Sequence, residues 1–220
     1  MIDVQKPADG SPWVLCEPSM PCRFAVLILH TSAAQIPDLA DELQRHRIAA
    51  CAPLLPDGWW VKSAEQSVVE RVLPWMRSRW NLGRNAIAVV GVEMGGQGAV
   101  RLGFKYPESF PIVASLNGAF DFHDWYGRGT ALDDMYPSRE RARQDTATLN
   151  INPYKVPPHI WIGCDSDSAD WYRGNDRLDE KLTAYGIAHT ADLATTAEGG
   201  ATAMVAFAAN ALETLSRKLL

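Results

Sequence analysis

Apolar residues along this chain come in short blocks without alternation, separated by stretches of helical or polar pattern. Residues 23–29 (Arg-Phe-Ala-Val-Leu-Ile-Leu), 48–52, 86–90, 112–116 and 159–163 each have the length of a strand. An unalternating run fits a strand covered on both faces, as in a parallel sheet. Weaker strand signals occur at residues 13–15, as an edge strand, and at 189–193. Between the strands the period changes. A helix is predicted over 38–45. A second runs from Ser63 to about residue 80, with Val68, Val69, Val72, Leu73, Trp75 and Met76 at helical spacing. Ser63 and Gln66 have the spacing of a capping box, and Pro74 is expected to kink that helix or divide it. Further helices are predicted over 96–106, 138–144, 173–185 (closed by Gly186) and, after a Gly199-Gly200 loop, 202–219. Residues 117–158 form a long polar excursion of the kind that often makes a lid or binding loop. Strands alternating with helices predict one α/β domain over residues 1–220 with a mostly parallel sheet.

One junction carries more information than the rest. Ala88-Val89-Val90-Gly91-Val92-Glu93-Met94-Gly95-Gly96-Gln97-Gly98 reads as strand, sharp turn, helix. Its layout is G-x-S-x-G, the turn that presents a nucleophile between a strand and a helix. The nucleophile position, however, holds Glu93.

Composition narrows the classes. The formal net charge is −5, which argues against a general nucleic-acid binder. No apolar run approaches the ~18 residues needed to span a membrane, and no signal-peptide pattern opens the chain. The four cysteines, Cys16, Cys22, Cys51 and Cys164, lack metal-ligand spacing and read as free thiols, so a cytoplasmic location is expected. No cofactor is implied.

The elbow, together with Phe104-Lys105-Tyr106-Pro107, Phe110-Pro111, Gly174-Asn175-Asp176-Arg177-Leu178 and the late Gly199-Gly200 pair, resembles the α/β-hydrolase-fold esterases of the esterase D and feruloyl-esterase-like group. The resemblance covers roughly residues 23–220. It implies the three-layer α/β-hydrolase fold, a mostly parallel central sheet flanked by helices. It also implies a serine, a histidine and an acid acting with two backbone N–H donors. The serine of that family maps to Glu93. The acid maps to Asp165 or Asp167, and the histidine, after the glycine pair, to Ala201. One oxyanion donor maps to Met94. The other maps near Thr31, in a loop reading His30-Thr31-Ser32-Ala33 where the family often has His-Gly.

A methyl group cannot move a proton, and members of a serine triad act as a unit. The resemblance therefore implies the hydrolase fold without ester hydrolysis by the usual route, and a pocket free to bind a small molecule or a surface free to bind a protein. The competing expectation is a hydrolase using Glu93 as a carboxylate nucleophile, with His123 or His30 as a displaced base. A divalent metal on Glu93, Asp165, Asp167 and His123 is the weakest alternative, because no short ligand motif fixes them. Trp125, with Trp59, Trp60 and Trp171, is expected either at a pocket rim or in simple packing.

Overall fold

The computed structural model describes residues 3–5, 13–18, 21–30, 40–55, 58–194 and 197–217. Among these residues eight strands form one sheet: β1 (Asp3–Gln5), β2 (Trp13–Glu17), β3 (Ala25–Leu29), β4 (Ala49–Pro53), β5 (Ile87–Val92), β6 (Ile112–Leu116), β7 (His159–Gly163) and β8 (Thr190–Asp192). Their spatial order is β1-β2-β4-β3-β5-β6-β7-β8. The first two strands pair antiparallel, with β1 on β2 and β2 on β4, and every other pairing is parallel.

The helices are α1 (Ala40–His46), α2 (Ser63–Ser67), α3 (Leu73–Trp80), α4 (Met94–Lys105), α5 (Phe122–Trp125), α6 (Leu132–Met135), α7 (Arg139–Gln144), α8 (Tyr172–Ala184) and α9 (Ala197–Arg217). The unalternating strands divide their side chains between two cores. Val26, Ile28, Ala88, Val90 and Ala114 face Met204, Val205, Ala208 and Ala209 of α9 and Leu43 of α1. Leu27, Leu29, Val89 and Val113 face the other layer, with Val72, Met76, Val100, Leu102, Leu178 and Leu182. This is the three-layer α/β-hydrolase architecture, and the parallel strands read as solid apolar runs because both faces are covered.

Three local expectations change. Ser63 is the first helical residue rather than the cap. Lys62 is the cap, at φ 52°, ψ −117°, and no side chain bonds the first turn. Pro74 does not break the helix. A π-turn over Val68–Val72 joins α2 to α3, widening the ladder just where proline supplies no N–H and its ring crowds the carbonyl of Glu70. The glycine pair at 199 and 200 is not a loop but lies inside α9, which starts at Ala197. The alanine-rich sequence that follows has high helix propensity and carries the helix back across the pair.

The excursion at 117–158 is not a loose loop. It folds into α5, α6, α7 and a 3₁₀ turn, Ala147–Asn150. Phe122, Leu132, Tyr136 and Ala142 bury there with Trp59 and Val61 as a third apolar cluster.

Candidate functional site

The β5–α4 junction is a tight elbow. Glu93 takes φ 52°, ψ −116°, a conformation that costs a non-glycine residue about 1–3 kcal/mol. Its surroundings enforce the turn. The Glu93 N–H donates to the Leu116 carbonyl at 2.9 Å, and its own carbonyl accepts from Ala119 N–H at 2.9 Å and Gln97 N–H at 3.2 Å. A Cβ on Gly91 would lie 2.0 Å from the Gly95 carbonyl oxygen, and one on Gly95 would lie 2.0 Å from that of Leu29. Both glycines are therefore required by close backbone approach.

The Glu93 side chain is half-buried, and its carboxylate has no hydrogen-bond or ion-pair partner among the described residues. Met94 opens α4, so its N–H has no acceptor within the helix and remains a candidate oxyanion donor. The free N–H groups and dipole at this end of α4 favour negative charge nearby.

Parallel register brings the other positions to the same edge of the sheet. Val92 pairs with Leu116, and Leu116 with Gly163, so the loops after β5, β6 and β7 start level. Asn117, at φ 50°, ties the last two together. Its N–H donates to the Gly163 carbonyl at 2.8 Å, and its Oδ1 accepts the Asp165 N–H at 2.9 Å. Asp165 is half-buried on that edge, and its Oδ1 accepts the Asp167 N–H at 3.0 Å. Asp167 is exposed. Burial of Cys164, with Asp165 beside it, pushes the thiol up to about 11, so at neutral pH it is not a thiolate nucleophile.

Ala201 lies in α9, half-buried against the apolar cluster that also receives Val92, the residue before Glu93. His30 is buried just beyond β3. Thr31 and the loop through Ala34 lie outside the described residues. His123 lies in α5. Its Nε2 is 3.5 Å from the Asp124 carboxylate, and its Nδ1 is buried without a partner among the described residues. Trp125 stacks on Trp171 at 4.9 Å between centroids, with Trp59 6.4 Å away, and Met94 packs against the same aromatic cluster. Among the described residues no three His, Cys, Asp or Glu side chains gather as a metal-holding group.

Two positioning residues escape a reading by motif. Asn175, fully buried at the start of α8, accepts the Gly118 N–H at 3.2 Å and donates to the Gly118 carbonyl at 3.0 Å. Gln97, also fully buried, donates to the Trp59 carbonyl at 2.7 Å and so ties α4 to the tryptophan loop. Asn175 stands inside one of the segments that carry the family resemblance, which is its only signal. Gln97 differs only in being polar within an otherwise apolar helix face.

Comparison with known proteins agrees with this architecture. The family model described as "Putative esterase" matches residues 46–200. No curated protein matches. Among solved structures, MPT51 of Mycobacterium tuberculosis superposes with a TM-score of 0.72 at 14% identity, covering 97% of each chain. FphF, a fluorophosphonate-binding serine hydrolase of Staphylococcus aureus, gives 0.68 at 13% identity over 91% of each chain. A ferulic acid esterase of Anaeromyces mucronatus in complex with ferulic acid gives 0.67 at 14% identity, covering 90% of this chain and 85% of that one. At these identities the likeness is one of fold.

Proposed function

The chain belongs to the "Putative esterase" family, and we propose that it keeps the hydrolase scaffold and elbow but uses the site to hold a small molecule instead of cleaving an ester by the serine route. One observation carries this reading: Glu93 sits in the strained turn with a carboxylate that has no partner among the described residues. In support, Ala201 offers only a methyl group from within α9. The serine route of acyl transfer needs a hydroxyl that loses its proton to a base. Glu93 has no hydroxyl to serve in that role, and alanine cannot accept a proton. The acid position belongs to the same proposal, and the half-burial of Asp165 favours it over exposed Asp167. A cytoplasmic location is part of the reading, and the four free thiols support it. No helix among the described residues is long and apolar enough to cross a membrane.

The test is hydrolysis of short-chain aryl acetates by the purified chain and by Glu93→Ala. Both are expected at the rate of a non-enzymatic protein control. Turnover proportional to protein concentration and abolished by Glu93→Ala overturns the proposal.

The Glu93 carboxylate also favours a second reading, attack by Glu93 on an alkyl carbon with departure of a halide. With no histidine bonded to Glu93 among the described residues, the ester so formed has no base to hydrolyse it. Incubation with a short alkyl halide then gives a lasting mass adduct on Glu93. An unmodified intact mass removes this reading.

A further inference from the structure

A cleft of about 390 Å³ lies between α5, the 3₁₀ turn and α8. Neither Glu93, Asp165 nor Ala201 lines it. Its walls carry Arg143, Arg177, Lys181 and His123, with Asp121 the one carboxylate among them. Three cations thus line one cleft on a chain whose formal net charge is −5.

The cations retain unused donors. Arg177 gives Asp121 a single bond from one terminal nitrogen at 3.1 Å, which leaves its Nε and other terminal nitrogen. Arg143 spends Nε and one terminal nitrogen on Glu140, outside the cleft lining, at 2.7 Å each. Lys181 donates to a neutral acceptor, the Thr148 carbonyl, at 2.5 Å, and has no carboxylate partner among the described residues. Its ammonium is partly desolvated without a compensating anion, which holds its pKa below the usual lysine value. His123 lines the same cleft, and its Nδ1 is buried and without a partner among the described residues. Leu149, 46% exposed, and Gly174 supply apolar surface in the same cleft.

We propose that this cleft is a binding site for a phosphate monoester. Donors arriving from several separate side chains suit a tetrahedral dianion with three acceptor oxygens better than a planar carboxylate, which one arginine fork satisfies. The volume exceeds what a bare phosphate fills, and Leu149 offers the organic portion an apolar contact. Asp121 accepts from a single Arg177 nitrogen, so the remaining Arg177 donors, with those of Arg143 and Lys181, are in excess over the cleft's one carboxylate among the described lining residues.

Calorimetric titration of the full chain with phenyl phosphate, inorganic phosphate and phenol tests the proposal. Phenyl phosphate is expected to bind, inorganic phosphate more weakly, and phenol not at all. Lys181→Met and Arg177→Met should each weaken phenyl phosphate binding by about tenfold, the value of one charge-assisted hydrogen bond. Arg79→Met, which removes a cation paired with Glu17 elsewhere on the surface, should leave it unchanged. Arg143→Met provides a further variant should Lys181→Met fail to fold, since the Arg143 side chain is 44% exposed. Absence of phenyl phosphate binding overturns the site. So does equal weakening by Arg79→Met, which marks attraction to charge in general, or binding that survives every change in the cleft. None of these outcomes bears on Glu93, so the site stands or falls separately from the reading of the elbow.

Discussion

The side-chain amide of Asn175 satisfies both the N–H and the C=O of Gly118, at 3.2 and 3.0 Å, and donates to the Trp171 carbonyl at 2.8 Å. Through this clasp α8 fixes the turn after β6. That turn in turn fixes Glu93, because Ala119 donates to its carbonyl. Asn175→Ala leaves the Gly118 N–H buried and unpaired, at about 1–3 kcal/mol, while the Gly118 carbonyl keeps only the Phe120 N–H at 3.0 Å. We expect a loss of about 1–3 kcal/mol in urea unfolding. Asn175→Asp should be as damaging, since a carboxylate keeps the acceptor and loses both donors. A change below about 1 kcal/mol in either variant would refute the clasp.

The strain at Glu93 is testable in the opposite direction. Glycine tolerates φ 52°, so Glu93→Gly removes about 1–3 kcal/mol of strain against an entropy cost of about 0.5–1 kcal/mol. The net expectation is stabilisation by about 1 kcal/mol, a rise of about 2–4 °C in Tm for a domain of this size. Gly95→Ala should do the reverse, because its Cβ would meet backbone at Leu29 at 2.0 Å. A cost of about 3 kcal/mol or more is expected. A destabilised Glu93→Gly protein would mean the elbow is not strained.

The contrast between these positions marks what the sequence could convey. Strands β3 to β7 were legible because both their faces are buried, which leaves nearly solid apolar runs with Ser115 in β6 and His159 at the start of β7 as the polar exceptions. The elbow was legible because close backbone approach demands glycine at fixed spacing. β1 was not, since three residues, two of them polar, give no period. The start of α9 was missed because a glycine pair normally ends a helix, and here the helix-forming alanines after it carry α9 back across the pair. The cationic cleft had no signal at all. His123, Arg143, Arg177 and Lys181 come from segments that only the topology brings together.

A buried ion cluster braces α2 against α4. Glu65, 5% exposed, accepts from Arg101 Nε at 2.5 Å, Lys105 Nζ at 2.5 Å and Tyr106 Oη at 3.0 Å. Burial alone would raise its pKa, but the bonds from Lys105 and Arg101 outweigh it and hold the carboxyl below its ordinary value of 4.5. A depressed folded-state pKa contributes stability that is fully present above the unfolded value and lost as pH falls through the folded one. Glu65→Gln leaves Arg101 buried with Asp145 alone and should cost about 3 kcal/mol at pH 7. That deficit should stay constant down to about pH 5 and shrink below 4.5, as wild type loses the same charge. Urea unfolding of both proteins at a series of pH values decides it. A deficit that does not change with pH would show that charge is not what Glu65 contributes.

Restoring chemistry is the sharpest test of the elbow. Wild type, Glu93→Ser and Ala201→His should all hydrolyse aryl acetates no faster than a protein control. The first has neither a hydroxyl nor a base. The second has a hydroxyl without a base, and the third a base with a carboxylate still in the nucleophile's place. Triad members act as a unit, so the double variant should exceed the sum of the singles. General-base assistance is worth about 10²–10⁴-fold, large enough to detect even with an ill-placed ring. Recovery should be partial. Position 201 lies on α9 itself, so a histidine there is fixed by the helix instead of by a loop that can adjust toward the hydroxyl introduced by Glu93→Ser. Met94 can supply one oxyanion donor, and a missing second donor costs about 10²–10³ in rate. A folded double variant without any gain would dissociate Ala201 from the histidine position. Activity in Glu93→Ser alone would mean that another base already serves the elbow, and would overturn the reading that the scaffold has lost its serine chemistry.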